Sequence, residues 1–385
     1  MSERPAVIVG FPPTTMELDD LQKNWDQLGK KDAFWAILTG SAGAAREWDL
    51  GKFFEEGVWE IDARLKRLDE LGIVIERKNA LDFGCGVGRL TQALARVFDR
   101  AVGVDIAPSM IEKARALNAL GERCEYVLND RDDLTRFEDD RFDFVYSNIT
   151  LQHMEPRYST SYIREFVRVA RPGGAIVFQI PSAPRPGPPP QRTSDDRSLP
   201  KSARQARIHP EVSTLRSAPG TRFPVVALVT NTGNQTWPAR GGPGYHRQVN
   251  VGNHWLDAKR KVLKFDDVRA ELPRDMAPNT TCEFGFWLTS PDAPGQYFVE
   301  IDVVQENVSW FAKNGSPTAI IDITVDASLP LGRVEGLPAK MEMYGVHRNE
   351  VTALLQDAGA ELIAVDDDDS PGPEWISYRY YARKR

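Results

Sequence analysis

The sequence predicts an α/β protein: a mainly parallel sheet with helices on both faces, interrupted after its fifth strand by an all-β domain. Three observations lead there. Up to about residue 180, short apolar strands alternate with amphipathic helical patterns, the grammar of a parallel sheet. A proline-rich stretch follows. Beyond it come short strands separated by turns, and then, near the end, a helix and two more strands.

The elements follow in order. Residues 1–78 read as an N-terminal helical region. Within it, Trp59 to Leu71 places Ile61, Leu65, Leu68 and Leu71 on one helix face. Ala80 to Phe83 is a short buried strand running into glycines. Leu90 to Phe98 is helical, Ala101 to Asp105 a second strand, and Ser109 to Leu120 a second helix. Strands follow at Glu125 to Leu128 and Phe142 to Ser147. Then come a helix at Ser161 to Ala170 and the fifth strand at Gly174 to Ile180.

Of the 27 prolines, eight fall between Pro181 and Pro210. Large apolar residues are scarce there, and the run from Pro186 to Pro190 favours extended polyproline geometry. Residues 181–210 therefore read as an exposed linker. Residues 211–330 then carry strands at Phe223 to Thr230, Gln248 to Val251, Lys261 to Leu263, Cys282 to Leu288, Gln296 to Gln305 and Ala319 to Val325. Turn chemistry at Asn231-Thr232-Gly233-Asn234 and Asp292-Ala293-Pro294-Gly295 separates some of them, the pattern of an antiparallel β-sandwich. Arg348 to Ala358 is a helix with Gly359 as its stop signal, and Glu361 to Val365 and Trp375 to Tyr381 are strands. About 55 terminal residues make a poor domain alone. They are expected to complete the first sheet, so that residues 1–180 and 331–385 form one discontinuous domain around an insertion.

Composition narrows the classes of function. A 41% hydrophobic, 27% charged chain suits a soluble globular protein. A net charge of −7 argues against a surface that coats nucleic acid. Three cysteines, Cys85, Cys124 and Cys282, build no disulfide framework, which fits a reducing cytoplasm. The first residues lack the apolar run of a signal peptide, and no stretch has the 18 or so apolar residues of a membrane span. No spacing of His, Cys or carboxylates suggests a metal.

The chemical signal is Leu81-Asp82-Phe83-Gly84-Cys85-Gly86-Val87-Gly88-Arg89. A strand enters a glycine turn whose backbone can approach a ligand, and a helix N-terminus follows with free N–H donors. The dinucleotide fingerprint is G-x-G-x-x-G; here Arg89 occupies its third glycine position and the pattern is G-x-G-x-G. Asp105 ends the next strand, where a carboxylate accepts hydrogen bonds from a ribose diol. Dinucleotides and S-adenosylmethionine both contain such a ribose.

Asp82 to Gly88, followed by Val104-Asp105-Ile106-Ala107-Pro108-Ser109-Met110, resembles the class I S-adenosylmethionine-dependent methyltransferases, which are Rossmann-like. Phe142-Asp143-Phe144-Val145-Tyr146-Ser147-Asn148 with Leu151-Gln152-His153 resembles that family's fourth strand and following loop, and Arg171-Pro172-Gly173-Gly174 the turn before its fifth. The four segments lie in family order across about 100 residues. The resemblance implies S-adenosylmethionine as cofactor. It implies Gly84, Cys85, Gly86 and Gly88 along its methionine and ribose, Asp105 on the ribose hydroxyls and Ile106 near the adenine. Asp82 and Met110, in the same motifs, join the cofactor-binding set. Asn129-Asp130 or, in another register, Asp133 would meet the adenine, and Asn148 would sit beside the donor methyl group.

For catalysis the expected residues are His153, as a base for a hydroxyl acceptor, and Tyr344 and His347 at the border of the same crevice. The plain alternative for His153 is a structural hydrogen bond. Cys85 reads as packing rather than a nucleophile. Trp25, Phe34 and Trp35 are candidates for a lid, with packing on the sheet as the alternative. Asp366 to Asp369 reads as a solvated turn.

Residues Asn231 to Pro238, Ala277 to Thr280 and Ala293 to Tyr297 resemble immunoglobulin-like modules, and are similar to the carbohydrate-binding domains of polysaccharide-exporting ABC transporter ATPases. Trp237, Trp255, Trp287 and Trp310 are then candidate sugar platforms, with core packing as the alternative. The function expected is methyl transfer to a hydroxyl of a sugar, glycolipid or related small molecule, consistent with polysaccharide biosynthesis. A dinucleotide-dependent enzyme and a non-catalytic glycan-binding protein are the alternatives. No nucleic-acid partner is expected, and homo-oligomerisation through the sandwich competes with sugar binding there.

Overall fold

The computed structural model describes residues 17–37, 49–185, 198–240, 247–339 and 341–385. They fall into two compact units. The described residues of the first lie in 17–185 and 339–385, and those of the second in 198–338.

The first unit opens with helices α1, Leu18–Ile37, and α2, Leu50–Glu70. Helix α1 breaks at Asp32, whose backbone is extended (φ −161°, ψ 94°) and whose carboxylate caps the second piece by accepting from the Trp35 amide at 3.0 Å. The alternation then runs as β1 Asn79–Phe83, α3 Arg89–Val97, β2 Arg100–Asp105, α4 Pro108–Ala116, β3 Cys124–Leu128, β4 Phe142–Ser147, α5 Pro156–Val169 and β5 Ala170–Pro184.

The second unit holds two sheets. One pairs β6 Ala206–Pro210, β8 Arg222–Asn231 and β12 Thr281–Thr289 in the order β12-β8-β6. The other is built on β7 Thr214–Ser217, β9 Val249–Leu256, β13 Gly295–Gln305 and β15 Ala319–Val325, with shorter β10 Val262–Lys264, β11 Arg269–Glu271, β14 Ser309–Trp310 and β16 Val334–Glu335. All pairings are antiparallel except β15 with β7. Alternate residues of both sheets, such as Val225, Ala227 and Val229 against Val299, Ile301 and Val303, share one core.

After this unit the chain adds α6 Arg348–Asp357, β17 Ala360–Asp367 and β18 Trp375–Lys384. Both strands join the first sheet, whose order is β17-β18-β5-β4-β1-β2-β3. Strands β1 to β5 pair in parallel, and β18 lies antiparallel to β5 and β17. Each strand alternates its burial between faces. Leu81 and Phe83 join α5 and α6 residues on one side, while Ala80 joins α2, α3 and α4 residues on the other.

Two expectations need correction. The linker does not run to residue 210: Leu199, Ala203, Ala206 and Ile208 are buried in the second unit's core, and β6 pairs with β8. Small and aliphatic side chains in a polar segment were enough to dock it. Residues 181–184 instead extend β5, and 331–338 belong to the second unit. Asp366 to Asp369 is not simply a solvated turn. Asp366 receives two 3.0 Å bonds from the Arg67 guanidinium, and Asp368 forms a buried ion pair with Arg379 at 2.6 Å. Arg67, distant in sequence, and Arg379, eleven residues after Asp368, supply the countercharge.

Candidate functional site

Strand order reverses between β1 and β4, and a cleft opens there at the carboxyl ends of the strands, as expected in open α/β sheets. The space between its walls, open solvent at the mouth included, is about 940 Å³. Helix α1 forms one wall. It is strapped to the sheet unit by Gln22 donating to the Ile106 carbonyl at 3.0 Å and by Asp26 accepting from the Ser109 amide at 2.9 Å.

Asp105 organises the floor. One carboxylate oxygen accepts from the Gly86 amide at 2.9 Å and the other from the Ala107 amide at 2.8 Å. The amides of Gly84 and Cys85 both donate to the Val104 carbonyl, so the turn is tied to the end of β2. Burial raises the Asp105 pKa above the ordinary carboxylate value, opposed by these amide bonds. Gly84, with φ +78°, sits where a Cβ would come within 2.2 Å of Thr150, and a Cβ on Gly86 would meet Ile37 at 2.7 Å. The turn is therefore pressed between the β4 loop and α1.

Of the other expected cofactor residues, Cys85, Ile106, Met110, Asn129 and Asn148 also line the cleft. Burial pushes the Cys85 thiol pKa well up, which keeps it neutral. Of the candidates after β3, Asn129 is the one on the cleft wall. Its amide nitrogen donates to the Asp133 carbonyl at 2.9 Å, and its buried Oδ1 has no partner. Asp130 is exposed and pairs with Arg136, and Asp133 caps Thr135; neither lines the cleft.

Four further expectations are corrected. Gly88 is not on the cleft wall: its φ of +82° and the space beneath it accommodate the Tyr126 ring, whose Oη would lie 2.5 Å from an added Cβ. Asp82 is inside the sheet, accepting from Thr91 Oγ1 at 2.6 Å. Tyr344 is turned to Glu342, to which its hydroxyl donates, and His347 is the exposed N-cap of α6, accepting from the Asn349 amide. Neither lines the cleft. Of the lid candidates, Trp25 lines the cleft, whereas Phe34 packs edge-on against Phe53 and Trp35 lies with it in a separate cluster.

Burial pushes the Asp82 pKa up to about 7, moderated by the Thr91 hydroxyl and the Arg89 charge. Folding therefore takes up a proton between about pH 4 and 7, and this carboxylate's stability contribution is lost as pH rises through that window. The substitution Asp82→Asn removes the titration. Thermal melting should show the variant gaining on the wild type from pH 4 to 7, with a constant difference above; a pH-independent difference would contradict the assignment.

His153 lines the cleft with its ring edge-on to Trp25 at 5.0 Å. Its Nδ1 lies 2.8 Å from the Glu342 carbonyl, which can only accept, so Nδ1 carries the proton. Nε2 is then the acceptor and takes the Gln152 amide at 3.2 Å. Gln152 is held by Gln179, which also accepts the Ile149 amide and donates to Ser377. Burial pushes the His153 pKa down to about 4. Both ring nitrogens are thus engaged within the fold, the arrangement that the structural alternative describes.

A network that sequence reasoning missed backs the cleft. Glu60 Oε1 accepts from Tyr146 Oη at 2.8 Å and Asn148 Nδ2 at 2.7 Å, and Glu60 Oε2 accepts from Arg89 at 2.8 Å. Arg379 donates to Tyr146 Oη, Asn148 Oδ1 and Asp368. Both ends of the Asn148 amide are thus occupied. No local motif marks Glu60 or Arg379; only a buried charge at a helix or strand position hinted at partners.

Residues 81–178 match the family described as "Methyltransferase domain". They form a methyltransferase domain. The chain is 34% identical over 105 residues to the chloroplastic tocopherol O-methyltransferase of Arabidopsis thaliana, covering 26% of this chain and 29% of that protein. It is 30% identical over 140 residues to the ubiquinone biosynthesis O-methyltransferase of Bordetella avium, covering 36% and 57%. It is 32% identical over 105 residues to the ajmaline N-methyltransferase of Rauvolfia serpentina, covering 26% and 35%. Among solved structures, magnesium protoporphyrin IX methyltransferase of Synechocystis with bound S-adenosylhomocysteine gives a TM-score of 0.32 at 19% identity, covering 43% of this chain and 73% of that one. The chain spans between 29% and 57% of the lengths of these curated relatives.

S-adenosylmethionine is the cofactor of the methyltransferase domain. The residues present fit it. Asp105 offers an anionic acceptor on the cleft wall, and Asn129 Oδ1 an unpartnered acceptor suited to an amino group. Among the described residues, no helix is long and apolar enough to cross a membrane.

Proposed function

We propose that this protein transfers the methyl group of S-adenosylmethionine to an uncharged small molecule, with a hydroxyl as the accepting group. The observation that carries this reading is Asp105, whose carboxylate ties the Gly84–Gly86 turn to the end of β2 at the mouth of a largely apolar cleft. Its remaining lone pairs suit the ribose diol, and Asn129 Oδ1 suits the adenine amino group.

When bound, the cofactor supplies an electrophilic methyl group on a sulfonium. The chain's own part is positioning. Trp25, Ile37 and Met154 give the cleft apolar walls that exclude water, and the hydrogen bond that the Ile149 amide donates to Gln179 Oε1 fixes the β4 loop beside Asn148. His153 holds the Glu342 segment rather than moving a proton, so the proton of the accepting hydroxyl passes to solvent at the mouth of the cleft as the new O–C bond forms. Among the described residues, Arg89 and Asp105 are the only charged groups on the walls, which favours an acceptor without charge of its own.

A sugar or glycolipid hydroxyl is the narrower proposal. It rests on the immunoglobulin-like resemblance of residues 211–330, which we read as a glycan-binding insertion. Trp237, Trp255 and Trp310 are buried in the second unit, while Trp287 is half-buried on β12 with Arg222 over its face at 4.9 Å.

Calorimetry of the full chain with S-adenosylhomocysteine and, separately, with NAD tests the reading. Micromolar binding of the first without the second is expected. Binding of NAD alone would replace the proposal with the dinucleotide reading.

A further inference from the structure

Arg89 is the first residue of α3, only 5% exposed, and lines the cleft. A guanidinium carries five N–H donors, and burial normally requires partners for them. Here one nitrogen donates to Glu60 at 2.8 Å, and the cation lies 5.9 Å from the centre of the Phe53 ring. Nε is buried without a partner, and Nη1 makes no hydrogen bond among the described residues. Glu60 is shared with Tyr146 and Asn148 through its other oxygen, and its one bond to the guanidinium leaves Nε and Nη1 unmet. Arg64 and Arg204 also leave a buried Nε unpaired, yet neither lines the cleft. Arg89 combines unspent donors with a place on the wall where it is the only described cation.

We propose that Arg89 is a carboxylate-binding residue of this cleft and that it receives the carboxylate of the cofactor's methionine part. This rests on the S-adenosylmethionine reading above. Asp105 and Arg89 would then divide the cofactor, the anion holding the ribose and the cation holding the amino-acid end. The planar fork of a guanidinium suits a carboxylate better than a lysine ammonium does. Glu60 fixes the guanidinium in place, so it acts as a positioning residue.

The test compares two ligands that differ by one group, S-adenosylmethionine and its decarboxylated form, by calorimetry. The wild type should prefer the carboxylated ligand by about 30-fold or more, the scale of a charge-assisted pair. In Arg89→Met that preference should fall below about threefold, with the decarboxylated ligand bound nearly as before, and Arg89→Lys should restore part of it. The double variant Glu60→Gln/Arg89→Met leaves no buried carboxylate unpaired and should behave like Arg89→Met if the single variant folds poorly. Equal weakening of both ligands, or an unchanged preference, would show that Arg89 only holds the fold and would overturn the proposal. If neither ligand binds the folded wild type, the underlying methyltransferase reading fails with it.

Discussion

The substitution Asp105→Asn should weaken S-adenosylhomocysteine binding by about 100-fold. The carboxylate is the only described anion on the cleft wall, and charge-assisted hydrogen bonds to a ribose diol are worth about 1.5–3 kcal/mol each. The substitution also has a cost within the protein. Both oxygens accept backbone amides, from Gly86 and Ala107, and an amide side chain must turn an N–H toward one of them. A loss of about 1–3 kcal/mol in unfolding free energy should accompany the loss of affinity. The two effects separate by measuring calorimetry and urea unfolding on the same preparation. Burial raises the Asp105 pKa, and the ionised form is the one that binds the diol. Wild-type affinity should therefore decline on acidification from a higher pH than an exposed aspartate would give, and the decline should vanish in Asp105→Asn. A folded variant that binds as tightly as the wild type would remove Asp105 from the site.

The parts of the site legible in the sequence were those encoded locally. Gly84, Gly86 and Asp105 sit at fixed offsets around a strand–turn–helix unit, so spacing alone located them. Strand alternation up to β5 was readable for the same reason, and the apolar periodicity of α6 with the two strands after it pointed to the sheet they join. What failed depended on direction or distant partners. Gly88 belongs to the motif but faces Tyr126, and Asp82 points into the sheet because strand side chains alternate. His347 is drawn into capping α6 by the Asn349 amide two residues on, and His153 into bonds with the adjacent Gln152 and with Glu342, a partner that no short window contains. The tryptophans of the second unit repeat the lesson. Trp237 donates to the Ala203 carbonyl and Trp255 to Asp267, so their polar edges as well as their rings are used inside the fold.

Arg379 shows how far such partners reach. It lies on β18, 5% exposed at its side chain, and binds Asp368, Tyr146 and Asn148. Burial by itself would raise the Asp368 carboxyl, but the Arg379 charge and the Ser370 bonds hold it below the usual carboxylate range. Removing one partner of a buried pair leaves the other charge without compensation, at about 3–5 kcal/mol. Arg379→Met should show a loss of that size in urea unfolding, the largest of any substitution proposed for the first unit. It should also loosen Asn148 at the cleft wall and weaken S-adenosylhomocysteine binding several-fold, although Arg379 itself does not line the cleft. The double variant Asp368→Asn/Arg379→Met carries no orphaned charge and should recover much of the stability. Tyr146 and Asn148 remain without their donor in that variant, so the affinity should stay low. If the two substitutions instead add within about 0.5 kcal/mol, the pair is not coupled and the network is only a set of neighbours.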